Sequence, residues 1–109
     1  MSLAEACYRL TRSFPQEELF GLTSQIRRSA ASVPANIAEG HGREHTRSFI
    51  QFLRVAQGSL KELETHLLLA ERVGVAVQLE IAPALKQCES VGKMLRLLNR
   101  SLQQKDAES

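Results

Sequence analysis

The chain has no tryptophan, only 5% aromatic residues, two cysteines and three prolines among its 109 residues. Its longest purely apolar run is Leu67-Leu68-Leu69-Ala70, far short of the roughly 20 residues that a membrane-spanning helix needs. Cys7 and Cys88 lie near opposite ends of the sequence, a separation that matches neither a zinc-ligand spacing nor a redox pair. A bridge between them is geometrically open, but two buried free thiols suit an intracellular compartment better. The opening residues carry Glu5 and Arg9 within a broken apolar pattern, unlike a secretory leader, so the expected location is the cytoplasm. A dominant charge is missing too. The net charge is +2, with acids and bases spread evenly along the chain, which counts against a strongly basic nucleic-acid binder.

What is present is helical rhythm. No segment alternates with period two, so no strands are expected. Apolar residues recur at Leu19, Leu22, Ile26, Ala30, Val33 and Ile37, in steps of three and four that define one helical face. Ser13 and Gln16 match a capping box, with Pro15 in the first turn. This places a helix over about residues 14–39, ended by Gly40 and Gly42, with a kink expected at Pro34. A second stripe, Phe49, Phe52, Leu53, Ala56, Leu60, Leu63, Leu67 and Ala70, ends at Gly74 and predicts a helix over about 45–73, roughly 43 Å long. Gly58 at its middle suggests close approach of a neighbouring helix. Leu85, Cys88, Val91, Gly92, Leu95, Leu98 and Leu102 predict a last helix over about 78–104, which Pro83 either opens or kinks. Leu3, Ala6, Cys7 and Leu10 mark a short first helix over about 2–12. Four helices joined by short Gly-containing turns make an all-α, antiparallel up-and-down four-helix bundle in a single domain, 1–109.

More apolar surface is present than one bundle face needs. Ile50, Val55, Leu68, Leu69, Met94 and Leu97 lie off the main stripes, and helices that are apolar on a second face bury it against a partner. Homo-oligomerisation is the structural expectation.

Several strings in this chain are distinctive: Ser13-Phe14-Pro15, Glu18 through Arg28, Ser32-Val33-Pro34-Ala35-Asn36-Ile37-Ala38-Glu39-Gly40, and Gly42-Arg43. Phe49, Phe52-Leu53, Ala56, Gly58-Ser59-Leu60, Glu62-Leu63-Glu64-Thr65 and Gly74 continue the pattern. With these the chain resembles a bacterial four-helix-bundle family, named also for an open reading frame in intervening sequences of large-subunit ribosomal RNA genes. The resemblance implies a four-helix bundle that assembles into a ring, typically a homopentamer. It also implies kinship with accessory proteins of diversity-generating retroelements, for which nucleic-acid binding is proposed. The chain departs from the family in a shorter first helix without the usual aromatic opening, and from those accessory proteins in its modest net charge.

Candidate chemistry is sparse. His41-Gly42-Arg43-Glu44-His45 spells the inverted zinc-protease pattern, which needs both histidines on one helical face. Gly40 and Gly42 instead put the string at a turn between helices, and a polar turn is the better reading. No Glu-x-x-His pair occurs, so the di-iron bundle arrangement is absent. Gly40-His41-Gly42 lacks the strand and the Lys-Ser/Thr ending of a phosphate loop. No enzyme, metal site or cofactor is expected.

The basic residues carry more. Arg47, Arg54 and Lys61 recur at seven-residue steps and share a helix face; Lys86, Lys93 and Arg100 do the same, with Arg96 beside them. Repeated around a ring, these stripes would present a positive surface to a DNA or RNA backbone; the rival reading is an ordinary solvated face. A second polar set, Arg27, Arg28, Pro34, Asn36 and Glu39, surrounds the expected kink. It reads either as a ligand site or as a structural cluster whose arginines pair with Glu39, Glu62 or Glu64, fixing helix register or a subunit interface. Two functions follow. One is a non-enzymatic oligomeric bundle that binds nucleic acid without base readout. The alternative is an assembly or scaffold protein that holds a protein partner and has no nucleic-acid role.

Overall fold

The computed structural model describes residues 2–108, and these form four α-helices: α1 (Ser2–Thr11), α2 (Leu22–His41), α3 (Thr46–Arg72) and α4 (Gln78–Glu108). No strand occurs among the described residues, and no helix there is long and apolar enough to cross a membrane. The molecule measures 51 × 22 × 19 Å.

Side-chain contacts fix the directions of the helices. Gly40, near the end of α2, meets Phe49 and Phe52 near the start of α3, while Ser32 reaches Ser59 further along. Arg47 meets Asp106, Gln57 meets Asn99 and Leu60 meets Gly92, so α3 and α4 are also antiparallel. Thr11 at the end of α1 bonds Arg27 near the start of α2. α1 packs on α2 and α4, α2 on α3, and α3 on α4.

The stripes read from the sequence form the core. Ile26, Leu53, Leu63, Leu67, Ile81 and Leu95 are fully buried, as are Cys7 and Cys88, and each large apolar side chain among them contributes roughly 2–3 kcal/mol of burial energy. Ile50, off the main stripe of α3, is buried as well, whereas Val55, Leu68, Leu69, Met94 and Leu97 are exposed.

Two expectations fail. The helix placed over 14–39 starts only at Leu22. Pro15 takes an extended conformation, Gln16–Glu18 make a single 3-10 turn, and Gly21 breaks the backbone path. Ser13 does not cap forward; its Oγ donates to the Leu10 carbonyl at 3.0 Å. The cap comes instead from Glu18, whose Oε1 accepts from the Leu22 N–H at 3.3 Å, with Phe14 buried as the anchor of the connection. Leu19, nominally first on the α2 stripe, is therefore exposed. Nor does Gly58 admit a neighbouring helix, for nothing lies within 4 Å of where its Cβ would be. The close approach is at Gly40, where a Cβ would stand 2.8 Å from Phe52 Cβ and 2.9 Å from Phe49 Cδ1.

Other ends follow the local chemistry. α3 closes at Gly74 with φ +80°, a conformation that glycine adopts without penalty. The Val75 N–H bonds the Ala70 carbonyl and the Gly74 N–H bonds that of Glu71, the paired pattern of a left-handed helix stop. α2 runs on through Pro34 and α4 through Pro83; each ring removes one backbone bond of its helix. At one end of the rod the connection 12–21 lies beside the α3–α4 connection. At the other lie the α2–α3 turn and the end of α4.

Candidate nucleic-acid interface

Antiparallel packing of α3 on α4 opens a groove to which each basic set contributes one lining residue, Lys61 from α3 and Arg96 from α4. The pairings Arg47–Asp106, Gln57–Asn99 and Leu60–Gly92 set a register in which Arg54 is level with Arg100, and Lys61 with Lys93 and Arg96. A cavity of about 540 Å³ opens between the helices, floored by Leu60, Cys88 and Gly92 and walled by Lys61, Arg96, Glu64 and Glu89. Gly92 makes part of this room: a Cβ there would stand 3.3 Å from the Arg96 guanidinium and 3.5 Å from Leu60.

The charges on this face are not equally available. Arg47 Nε is 3.2 and 3.3 Å from the two Asp106 carboxylate oxygens, which neutralise it. Lys61 stands 3.8 Å from Glu64 and Lys93 stands 3.8 Å from Glu89; these open pairs on exposed lysines add little stability and are easily exchanged. Arg54, Lys86 and Arg100 are exposed and form no ion pair among the described residues. Cations thus outnumber the carboxylates of Glu64, Glu89 and Asp106 on this side of the molecule.

The second polar set is dispersed. Arg27 meets no carboxylate among the described residues. Its Nε donates to Thr11 Oγ1 at 2.8 Å, and its guanidinium lies 5.0 Å over the Tyr8 ring, so it joins α2 to α1. Arg28 lies 3.6 Å from Glu62 and donates to Gln25 at 2.5 Å. Asn36 donates to the Ser32 carbonyl and hydroxyl, and Ser32 shares a 2.7 Å hydrogen bond with Ser59, tying α2 to α3. Glu39 pairs with Arg43 at 2.6 Å, and the Arg43 guanidinium lies 4.8 Å over the Phe52 ring. Glu64 faces the α3–α4 groove instead. Pro34 lines a small depression with Leu3, Val33, Ile37, Val91 and Met94. These residues stitch three different helix contacts and do not converge on one site.

His41 ends α2 and packs edge-on to Phe49 at 5.9 Å, while His45 precedes α3. The two histidines sit on separate elements, and among the described residues no group of three His, Cys, Asp or Glu converges as a metal site. Burial pushes the Cys7 thiol up to about 11; Cys88 rises to about 12 through burial, with further contributions from Cys7 and Glu64. Both are free and protonated at neutral pH.

Sequence reasoning did not single out Thr11 and Tyr8 as partners of Arg27. Nor did it single out Asn99, nearly buried, whose Nδ2 donates to Gln57 at 3.2 Å. Asn99 had a signal, since it sits on the α4 stripe between Leu95 and Leu102 where an apolar residue would be regular. The partners of Arg27 had none, because they lie on another helix.

No curated protein matches the chain. Residues 1–97 match the family described as 23S rRNA-intervening sequence protein. That match spans most of the chain and coincides with the four-helix architecture: the chain belongs to this family.

Proposed function

We propose that this protein is a non-enzymatic, cytoplasmic, ring-forming helical bundle that engages DNA or RNA backbones through the α3–α4 face, without reading bases. One observation carries the reading. Lys61 and Arg96 come from two helices yet line one groove, and the register of α3 on α4 sets exposed Arg54 level with Arg100 and Lys61 level with Lys93, as a surface tracking a line of phosphates requires. Lys86 extends the line, and Arg47 joins it wherever a phosphate displaces Asp106. Self-association is supported by exposed Val55, Leu69, Met94 and Leu97 and by the small exposed residues Ala31, Ala35 and Ala38 of α2. A homopentamer is the assembly that the family resemblance implies.

The test is fluorescence anisotropy with labelled DNA and RNA of unrelated sequence, titrated between about 50 and 300 mM salt. Counterion release predicts a steep fall in affinity with salt and little sequence preference. Arg54→Glu with Lys61→Glu and Arg100→Glu should abolish binding while leaving helicity intact. Undiminished binding by that variant, or none by the wild type at low salt, would overturn the nucleic-acid reading and favour a scaffold for a protein partner. Light scattering that returned a lone subunit of 12.1 kDa would overturn the ring.

A further inference from the structure

The two ends of the rod differ in kind. At the end of the α2–α3 turn the carboxylates of Glu39 and Asp106 are held by Arg43 and Arg47, and no large apolar side chain is exposed among the described residues there. At the other end, the two connections and the first turn of α4 expose Leu19, Phe20, Val73, Val77 and Leu79; Phe20 is 91% exposed and Leu79 85%. Large side chains left this open on one small surface mark a contact. The bundle is only 22 × 19 Å in section, and all five residues belong to the segments that form this one end.

The rim of that tip is acidic, although the chain as a whole is basic. The segments that form this end carry Glu17, Glu18, Glu71 and Glu80 against Arg12 and Arg72. Glu18 and Glu80 cap backbone N–H groups of Leu22 and Val77, so their positions are fixed. Glu17 and Glu71 make no ion pair within the described residues. An acidic rim around an apolar centre selects against an identical tip and against an anionic lipid surface, because both bring like charge together.

We infer that this tip docks a basic amphipathic helix of another protein. Its apolar face covers Phe20, Val77 and Leu79, and its lysines or arginines meet Glu17 and Glu71. A helix of about 14 residues is about 21 Å long, which matches the width of the tip. This surface lies apart from the basic stripes and does not rest on the nucleic-acid reading.

A fluorescein-labelled 14-residue Leu/Lys amphipathic peptide, with a Leu/Glu peptide as its counterpart, tests the inference by anisotropy on the full chain. The Leu/Lys peptide is expected to bind, more weakly as salt rises. Phe20→Ser with Leu79→Ser should weaken it by about tenfold or more, and both positions are exposed enough for the fold to survive, which circular dichroism checks. Glu17→Lys with Glu71→Lys should weaken it several-fold, while Arg54→Glu leaves it unchanged. No binding, equal binding of the Leu/Glu peptide, or indifference to Phe20→Ser/Leu79→Ser would overturn the inference. So would a drop in particle mass in that variant, which would assign the tip to a second copy of this chain.

Discussion

Adding one methyl group at each of two helical glycines should move stability in opposite directions. Gly58 lies mid-helix on α3 with open space around its missing Cβ. Alanine there restricts the unfolded chain without a clash, so Gly58→Ala should stabilise by about 1 kcal/mol. Gly40, in the last turn of α2, faces Phe52 Cβ at 2.8 Å and Phe49 Cδ1 at 2.9 Å from the position of a new Cβ. The Phe49 ring can rotate away, but Phe52 Cβ moves only with its backbone. Overpacking costs about 1–3 kcal/mol, and with a contact of 2.8 Å to a Cβ the cost here is the upper part of that range, about 2–3 kcal/mol. Against a helix-propensity gain of about 1 kcal/mol, Gly40→Ala should lose about 1–2 kcal/mol net. For a domain of this size each kcal/mol shifts Tm by roughly 4–8 °C. Thermal unfolding followed at 222 nm, at matched protein concentration because assembly feeds into Tm, would separate the two variants by about 10 °C. A Gly40→Ala protein as stable as wild type would refute the contact. A destabilised Gly58→Ala would mean that another chain fills that space in solution.

Two further expectations come from the core. Arg27→Ala removes both the Thr11 hydrogen bond and the Tyr8 ring contact and should cost about 1–2 kcal/mol; in a double-mutant cycle with Thr11→Val the losses should be less than additive, and full additivity would refute the pairing. Because the Cys7 and Cys88 thiols are raised from 9.0 to about 11 and about 12, above pH 9 the unfolded state loses their protons before the folded state does. Their contribution is complete below pH 9 and is lost as pH rises towards 11–12, by about 1.4 kcal/mol per pH unit for each thiol. Urea midpoints at pH 8 and pH 10 should fall more steeply in the wild type than in a Cys7→Ala/Cys88→Ala variant, and equal slopes would refute it.

The repeating parts of the fold were legible because period is a local property. Leu53, Ala56, Leu60, Leu63 and Leu67 can share a face only if α3 is a helix, and they are buried together. Gly74 was legible for the same reason, since a helix stop is settled within a few residues. The start of α2 was misread because Ser13-Phe14-Pro15-Gln16 satisfies a capping pattern on paper. Burial of Phe14 and the break at Gly21 decide otherwise, and both depend on packing. Which glycine faces a neighbour also depends on packing, so the close contact expected at Gly58 falls at Gly40 instead. Seven-residue spacing placed Arg54 with Lys61 and Lys93 with Arg100. That Lys61 and Arg96 meet across one groove, and that Asp106 takes Arg47, required the register of α3 on α4.

The order of the helices has a consequence for how the chain acquires its shape. Three of the four principal helix contacts join consecutive helices, and only α1 against α4 ties together distant parts of the sequence. Most of the architecture can therefore assemble by successive closures of neighbouring helices, with short loops between α2 and α3 and between α3 and α4, a topology associated with folding in microseconds to milliseconds. The α1–α4 seam carries the largest loop-closure entropy and gains from it only once the other three helices are in place. Early species of this chain would then be an open three-helix sheaf, with the surface that receives Leu3 and Cys7 still wet.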